Sequence, residues 1–398
     1  MDIENTEVRA LVLPGGGARA AYQVGVLKAI ARLLPRAGAN PFPIISGTSA
    51  GSINAAVLAC RTADFVAGIE DLERVWANFR AEQVFKTDAW TMLRSSLHWL
   101  AALVSGGLLV PNPRSLLDNA PLRRLLGQEI DFARVDAAIE RGELRALGIT
   151  ASGYTSARSV TFYRGIASLS PWSRVRRDGR PAGLDVEHLM ASAAVPFVFP
   201  PVHIGGEYFG DGAMRQSRPL SPAIHLGAER MLVIGVRNEV PDEVPELPQA
   251  AEFPSFGQIG GYMLDTLFMD GLYSDLEALN RINRLVEQAG SFDGPVGHLK
   301  RIDCLLIIPS QDIRDIAQRH AHELPKPVRL LLRGLGARNK GGRQLVSYLL
   351  FESAYTRELI ELGYNDAMEV ESHIQAFLSG TAMDSLDAPE RVRKDFKD

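Results

Sequence analysis

A serine between two glycines, Gly47-Thr48-Ser49-Ala50-Gly51, follows the apolar stretch PFPII and precedes the small-residue segment SINAAVLACR. In that context the glycines let the chain turn sharply between strand and helix and leave the Ser49 hydroxyl exposed at a strand end. The N-terminus of the following helix also favours negative charge developing there. The five-residue pattern arises by chance in long chains, and the ordinary alternative is a strand-to-helix turn with Ser49 as N-cap. A serine nucleophile needs a base. The conspicuous carboxylate is Asp211 in YFGDGAM, flanked by Gly210 and Gly212 after a strand-like run; its ordinary alternative is a structural Asp-Gly turn. His188, His203 and His225 sit in helix- or strand-like stretches and read as core or surface histidines. A third cluster, Gly15-Gly16-Gly17 in LPGGGAR, bares backbone toward a phosphate, an oxyanion or nothing at all.

The elements that must hold these residues follow from patterning. VRALVL (8–13) reads as a buried strand, with an apolar-periodic helix over about 20–34 beyond the glycines. PFPIISG is a second strand and SINAAVLACR a second helix, the strand–turn–helix rhythm of a parallel α/β sheet. Residues 65–142 are less regular and partly amphipathic. LRALGITASGY and SVTFYRG are paired strands with Ser156 in the hairpin turn; Asp185 N-caps a helix over 186–194, and Ser221-Pro222 fits N-cap and first position of another. RMLVIGVRN is a further buried strand. The Pro- and acid-rich 241–254 reads as a linker, followed by a long helix near 260–288 with Leu264, Phe268, Leu272, Leu276 and Leu279 on one stripe, the strand RIDCLLIIP, and helix to a charged, fraying end.

Taken together, Gly-Gly-Gly-x-Arg after a first strand, Gly-Thr-Ser-Ala-Gly thirty residues on, ASAAVPFVFPP (191–201) and Asp-Gly-Ala resemble the patatin-like phospholipases. The resemblance implies a three-layer α/β/α fold with a mostly parallel central sheet over residues 8–240, extended by a largely helical region over 255–385. It makes Ser49 the nucleophile and Asp211 its base, a dyad without histidine. The oxyanion loop would be Gly15, Gly16, Gly17, Ala18 and Arg19, with the N–H groups around Gly16, Gly17 and Ala18 as donors. Gly47 and Gly51 would shape the elbow, and Gly212 and Ala213 the turn that carries Asp211. An ordinary aspartate, of pKa about 4, is a weak base at neutral pH, so burial and precise contact with the serine hydroxyl must compensate. Arg19 suits a structural ion pair as well as a catalytic role, and Ala20 stands where the family pattern has glycine, a substitution helical dihedrals tolerate. Pro196, Phe197, Phe199, Pro200 and Pro201 line an acyl groove or buttress the strand bearing Asp211. The implied reaction is lipid acyl ester hydrolysis of the phospholipase A type, on phospholipid or another fatty-acyl ester. The competing readings are a carboxylesterase or thioesterase on smaller esters, and a nucleotide-binding Rossmann-like protein; the latter lacks a complete G-x-G-x-x-G and the acidic residue about twenty positions on.

Composition narrows the partners. The 398 residues are 46% hydrophobic and 23% charged with a net charge of -4, which suits a large core and argues against a nucleic-acid binder. Cys60 and Cys304 lack metal-ligand spacing and read as small core residues in a reducing compartment. No cofactor or metal is expected. The N-terminus carries acids where a signal peptide needs bases, and no apolar run spans a bilayer, so a cytoplasmic protein with peripheral membrane contact is expected. Two stretches are candidates for that contact: 97–110 (LHWLAALVSGGLLV) and the acid-free 326–343 with Lys326, Arg329, Arg333, Arg338, Lys340 and Arg343, for which a solvated face is the alternative.

Overall fold

The computed structural model describes residues 7–34, 38, 40–88, 115–238, 256–289, 299–334 and 342–393. One sheet organises the fold. Its strands are β1 (Arg9–Leu13), β2 (Ile44–Thr48), β3 (Ala146–Gly153), β4 (Ser159–Gly165), β5 (Trp172–Arg174), β6 (Arg177–Pro181), β7 (Val202–Ile204), β8 (Glu207–Asp211), β9 (Arg230–Ile234), β10 (Asp303–Ile307) and β11 (Leu386–Asp387). They run in the order β11-β10-β9-β1-β2-β3-β4-β6-β5, with β8 pairing β3 and β7 pairing β8. From β11 to β3 every pairing is parallel; β4 and β8 are antiparallel to β3.

Successive residues of a strand face opposite sides of a sheet, and the buried strands show it. Leu11, Leu13, Leu232, Ile234, Leu305 and Ile307 enter one hydrophobic core, while Ala10, Val12, Met231, Val233, Cys304 and Leu306 enter the other. Helices α1 (Ala21–Leu33), α2 (Ala50–Ala59) and α3 (Phe65–Trp76), with the helix Ser353–Glu369, cover the first face. The helices Ser221–His225 and Phe256–Ala289 cover the second. This is the expected three-layer α/β/α arrangement with a mostly parallel sheet and a helical C-terminal region.

That C-terminal region also supplies β10 and β11, so the sheet runs on into it. Its helix Ser353–Glu369 lies against α1 at unusually close range. A β-carbon on Gly25 would strike the Ile360 carbonyl oxygen, and one on Gly363 the Tyr22 carbonyl oxygen. Two facing glycines thus let the helix backbones touch.

Local expectations held with two adjustments. Asp185 caps its helix by accepting from the N–H groups of Glu187 and His188. The helix at 221 starts one residue earlier than expected: Leu220 is its N-cap and Ser221 its first residue, because the Leu220 N–H is satisfied by the distant Asp275 carboxylate at 2.9 Å. Cys304 is buried but Cys60 only half-buried, since it closes α2 at the edge of the core, its thiol donating to Asp131 O. On the long helix Leu272, Leu276 and Leu279 are buried, while the side chains of Leu264 and Phe268, like the stretch 97–110, lie outside the described residues.

Candidate active site

The strand register brings the motifs together. Leu13 of β1 pairs with Gly47 of β2, so the glycine loop and Ser49 leave adjacent parallel strands at the same end. Thr48 pairs with Thr150 of β3, and Ala151 pairs with Asp211 of β8. Ser49 and Asp211 therefore flank the end of β3, at the carboxyl ends of the central strands where open α/β sheets place their ligands.

Ser49 occupies the N-cap position of α2 yet makes no side-chain cap bond, and its backbone is left-handed, with φ 53°. Such a conformation costs a non-glycine residue on the order of 1–3 kcal/mol. The freed hydroxyl donates to Asp211 Oδ2 at 2.7 Å. An ordinary capping serine would spend its oxygen on the helix N–H groups, so the capping alternative does not describe this residue. The turn needs Gly51 because a β-carbon there would run into the Leu13 and Pro14 carbonyl oxygens. Gly47 is buried at the end of β2, immediately before the turn.

Three further bonds fix the serine and its partner. The Ser49 N–H donates to Ser192 Oγ at 2.8 Å, and Ser192 donates in turn to Thr150 O at 2.6 Å. The Asp211 N–H donates to Ala194 O at 2.8 Å. Ser192 and Ala194 thus tie both members of the pair to the ASAAVP stretch. Asp211 Oδ1 accepts from the Ala213 N–H at 2.9 Å, and Gly212 opens that turn against Thr150 O. Burial pushes the Asp211 carboxyl up to about 7, against the opposing pull of the Ser49 and Ala213 hydrogen bonds. The desolvation that the sequence required of a lone aspartate base is present.

The glycine loop sits beside this pair. Gly15 and Gly16 follow β1, and Gly17, at φ 55°, begins a 3-10 turn that runs into α1. The first N–H groups of a helix have no acceptor within it, so those of Gly17 and Ala18 head a helical run whose dipole favours an anion. Ala20 is helical, as its substitution for glycine allows, and its carbonyl accepts from Asn54 Nδ2 at 3.2 Å. Of the two roles open to Arg19, its contacts are those of the structural one. Its N–H is bonded to Gly16 O at 3.1 Å. Its buried guanidinium reaches Ser347 Oγ at 2.6 and 2.9 Å and stacks on the Tyr348 ring at 3.9 Å. Arg19 is a tether between the loop and the helix Gly342–Leu349.

Sequence reasoning missed Ser192 and the buried chain Gln23–Asn54–Trp76. Gln23 Nε2 donates to Pro14 O at 2.9 Å, Asn54 Nδ2 to Gln23 Oε1 at 3.0 Å, and Trp76 Nε1 to Asn54 Oδ1 at 2.8 Å. These polar groups hold the start of the glycine loop against α2 and α3. No spacing in the sequence announces them, although a Gln and an Asn inside otherwise apolar helices are the available signal.

An apolar chamber opens from the serine. Its walls include Ile53 and Val57 of α2, Leu72, Val75 and Trp76 of α3, Leu122, Leu125 and Leu126 of the helix Ala120–Glu129, and Val195, Val198 and Phe199; Gly17, Tyr348 and Leu349 close in beside Ser49. The less regular, partly amphipathic stretch 65–142 contributes here: among its described residues α3 and the helix Ala120–Glu129 build chamber wall. The segment 196–201 divides its roles. Phe199 faces the chamber and packs on Phe85, whereas Phe197 is turned outward at φ 64°. The described histidines are engaged elsewhere: His188 with Asp185, His225 with Ser221 O, His203 against Tyr208. No cluster of potential metal ligands occurs among the described residues.

Strand-end serine, buried carboxylate and apolar chamber meet at one end of the sheet of an α/β protein. The family model of the patatin-like phospholipases matches residues 11–224, more than half of the sequence, and the chain belongs to that family, whose substrates are lipids. No curated protein matches it. Among solved structures it is similar to VipD from Legionella pneumophila, at 12% identity and TM-score 0.34, over 98% of this chain and 73% of that one. It is also similar to human GIVD cytosolic phospholipase A2 in complex with methyl gamma-linolenyl fluorophosphonate, at 13% identity and TM-score 0.39, over 96% of this chain and 60% of that one.

Of the basic stretch 326–343, the helix Lys326–Gly334 is described, with Val328 and Leu332 buried and Leu330 exposed. Arg329 donates to His322 O at 2.9 Å. Arg338, Lys340 and the side chains of Arg333 and Arg343 lie outside the described residues. Among those residues no helix is long and apolar enough to cross a membrane.

Proposed function

We propose that the protein is a lipid acyl hydrolase of the phospholipase A type working through a Ser49–Asp211 dyad. The observation that carries this reading is the 2.7 Å bond from Ser49 Oγ to a carboxylate that burial has pushed up to about 7. Near neutral pH such a group both takes and returns a proton, which general acid–base work requires. Ser49 Oγ attacks the acyl carbonyl carbon while its proton passes to Asp211 Oδ2. The carbonyl oxygen becomes an oxyanion received by the Gly17 and Ala18 N–H groups. Collapse of this tetrahedral species breaks the ester bond, and the leaving alkoxide takes the proton from Asp211. Water then attacks the acyl-enzyme, again giving its proton to Asp211, and collapse releases the fatty acid and restores Ser49.

The apolar lining of the chamber favours a fatty-acyl chain over the small acyl groups of a general carboxylesterase. The glycine loop is overlaid by Val236 and by the Tyr348 carbonyl, a poor fit for a bulky pyrophosphate. The deciding experiment is labelling of the purified protein with a fluorophosphonate, peptide mapping, and assay of Ser49→Ala on micellar phospholipid and on a short soluble ester. Label on Ser49 and loss of both activities are expected. Near-wild-type turnover by Ser49→Ala would remove the nucleophile assignment, and hydrolysis of the short ester alone would favour a carboxylesterase.

A further inference from the structure

The chamber has two unlike ends, and we propose that the charged one sets the acyl chain length the site rewards, at about ten carbons. The inference rests on the hydrolase reading above and adds a specificity determinant, the Asp71–Arg74–Glu129 cluster.

The direction of the chamber follows from its helices. Ala50, Ile53 and Val57 lie on one stripe of α2 and all face the chamber, so it runs along that helix away from Ser49. At 1.5 Å per residue, Val57 lies about 12 Å from Ser49 along the axis. α3 returns antiparallel to α2: Trp76 at its end bonds Asn54, whereas Asp71 bonds Arg61 just beyond the end of α2, at 2.7 Å. The helix Ala120–Glu129 also finishes there, since Cys60 donates to Asp131 O. Val57, Asp71 and Glu129 therefore meet at the far end.

That end is ionic. Arg74 Nη2 lies 2.9 Å from Glu129 Oε2 and 3.4 Å from Asp71 Oδ1, and its side chain is 55% exposed. Between Ser49 and this rim the wall is apolar, so each methylene added to a bound chain leaves water for hydrocarbon, worth about fourfold in transition-state binding. Beyond the rim a methylene meets charged groups and water and gains nothing. The span of ~12 Å, divided by the ~1.25 Å advance per carbon of an extended chain, gives roughly ten carbons including the carbonyl.

The test uses the full-length protein and p-nitrophenyl esters of four to sixteen carbons in one fixed detergent, reading kcat/KM. A rise of about fourfold per methylene up to roughly ten carbons, then a plateau or fall, is expected. Glu129→Ala, which opens the rim, should move the break to longer chains; Ile53→Phe, about 6 Å from Ser49 along the axis, fills the tube halfway and should move the break to about five. A profile still climbing at sixteen carbons, or one break shared by all three proteins, overturns the proposal. Displacement of a fluorescent fatty acid from Ser49→Ala by the same series of free acids reads chain length without catalysis. A break near ten carbons there, with no ester hydrolysed by the wild type, would sink the hydrolase reading and leave the length limit standing. No break in that binding series would sink the length limit itself.

Discussion

The candidate site is built by two regions that hold it in different ways. The strand ends of β1, β2, β3 and β8 supply Ser49, Asp211 and the glycine loop, and they are fixed by buried hydrogen bonds to Ser192, Ala194 and Gln23. The C-terminal helices supply no reacting group. They contribute Tyr348 and Leu349 to the chamber, with Phe351 from the link between them, and grip Arg19 from outside through Ser347 and Tyr348. On the dyad reading the first region carries bond making, and the second closes one side of the chamber and braces the glycine loop. Substitutions in the strand ends should lower kcat, and those in the C-terminal helices should act mainly through KM and stability.

The sharpest way to break that division is Asp211→Asn. Loss of the base should cost at least the ~100-fold typical of removed general bases, while single His→Ala changes leave turnover within a few-fold. Its pH behaviour gives a second reading. On the proposed mechanism the base acts ionised, so kcat/KM should rise with pH through a midpoint near 7. Stability runs the other way. Below the ordinary aspartate range both folded and unfolded states hold the proton. As pH rises toward 7 the unfolded chain loses it first, withdrawing on the order of 4 kcal/mol from the fold. Asp211→Asn should accordingly melt higher than wild type at pH 8 and no higher at pH 4; a lower Tm at pH 8 would contradict the buried-carboxylate account.

Ser192→Ala comes next. It leaves the Ser49 N–H and the Thr150 carbonyl without their buried partner, a loss of about 1–3 kcal/mol in stability. As the elbow relaxes, kcat should fall roughly tenfold at little-changed KM, on the scale of one misplaced buried hydrogen bond. A change confined to KM would move Ser192 from positioning the serine to binding substrate. Ser347→Ala probes the other region. It removes the acceptor of two Arg19 N–H groups, so thermal unfolding should come earlier and KM for long esters rise a few-fold, with kcat nearly intact. A kcat loss as large as that of Ser192→Ala would erase the distinction between the two regions.

The effect that leaves turnover untouched concerns membranes, where Arg329, Arg333 and Arg338 are to be reversed to Glu. Each residue engaged with anionic lipid contributes about 1 kcal/mol, weakened by salt. The triple variant should co-sediment less with anionic vesicles at low salt while hydrolysing a soluble ester normally. Equal sedimentation would leave 326–343 as a solvated face and direct attention to 97–110.

The strand-end region was the legible one. Ser49, Asp211 and Gly17 sit in turns whose geometry demands particular residue types, and the apolar runs at β1, β2, β9 and β10 are those of strands buried on both faces. Ser192 and Asn54 were not legible, because a small polar residue in a helix looks alike whether it faces solvent or holds a nucleophile. Leu220 was unreadable for a related reason: its cap comes from Asp275, fifty-five residues on. The Arg19 tether was half legible: a structural role stood open for it, but nothing local points to Ser347. Local chemistry leaves local traces, and partners brought together by tertiary packing leave none.

The bond between Arg19 and Ser347 joins residues 328 positions apart. During synthesis the glycine loop, the elbow and Asp211 all emerge long before that partner, and contacts of such separation carry the largest loop-closure cost and form late. On the dyad reading, the growing chain holds its whole reactive set while the loop that must receive the oxyanion is still untied. Tyr348 and Leu349, which close the chamber beside Ser49, are also made last, so on this reading tight binding of a lipid awaits translation and folding of the C-terminal helices.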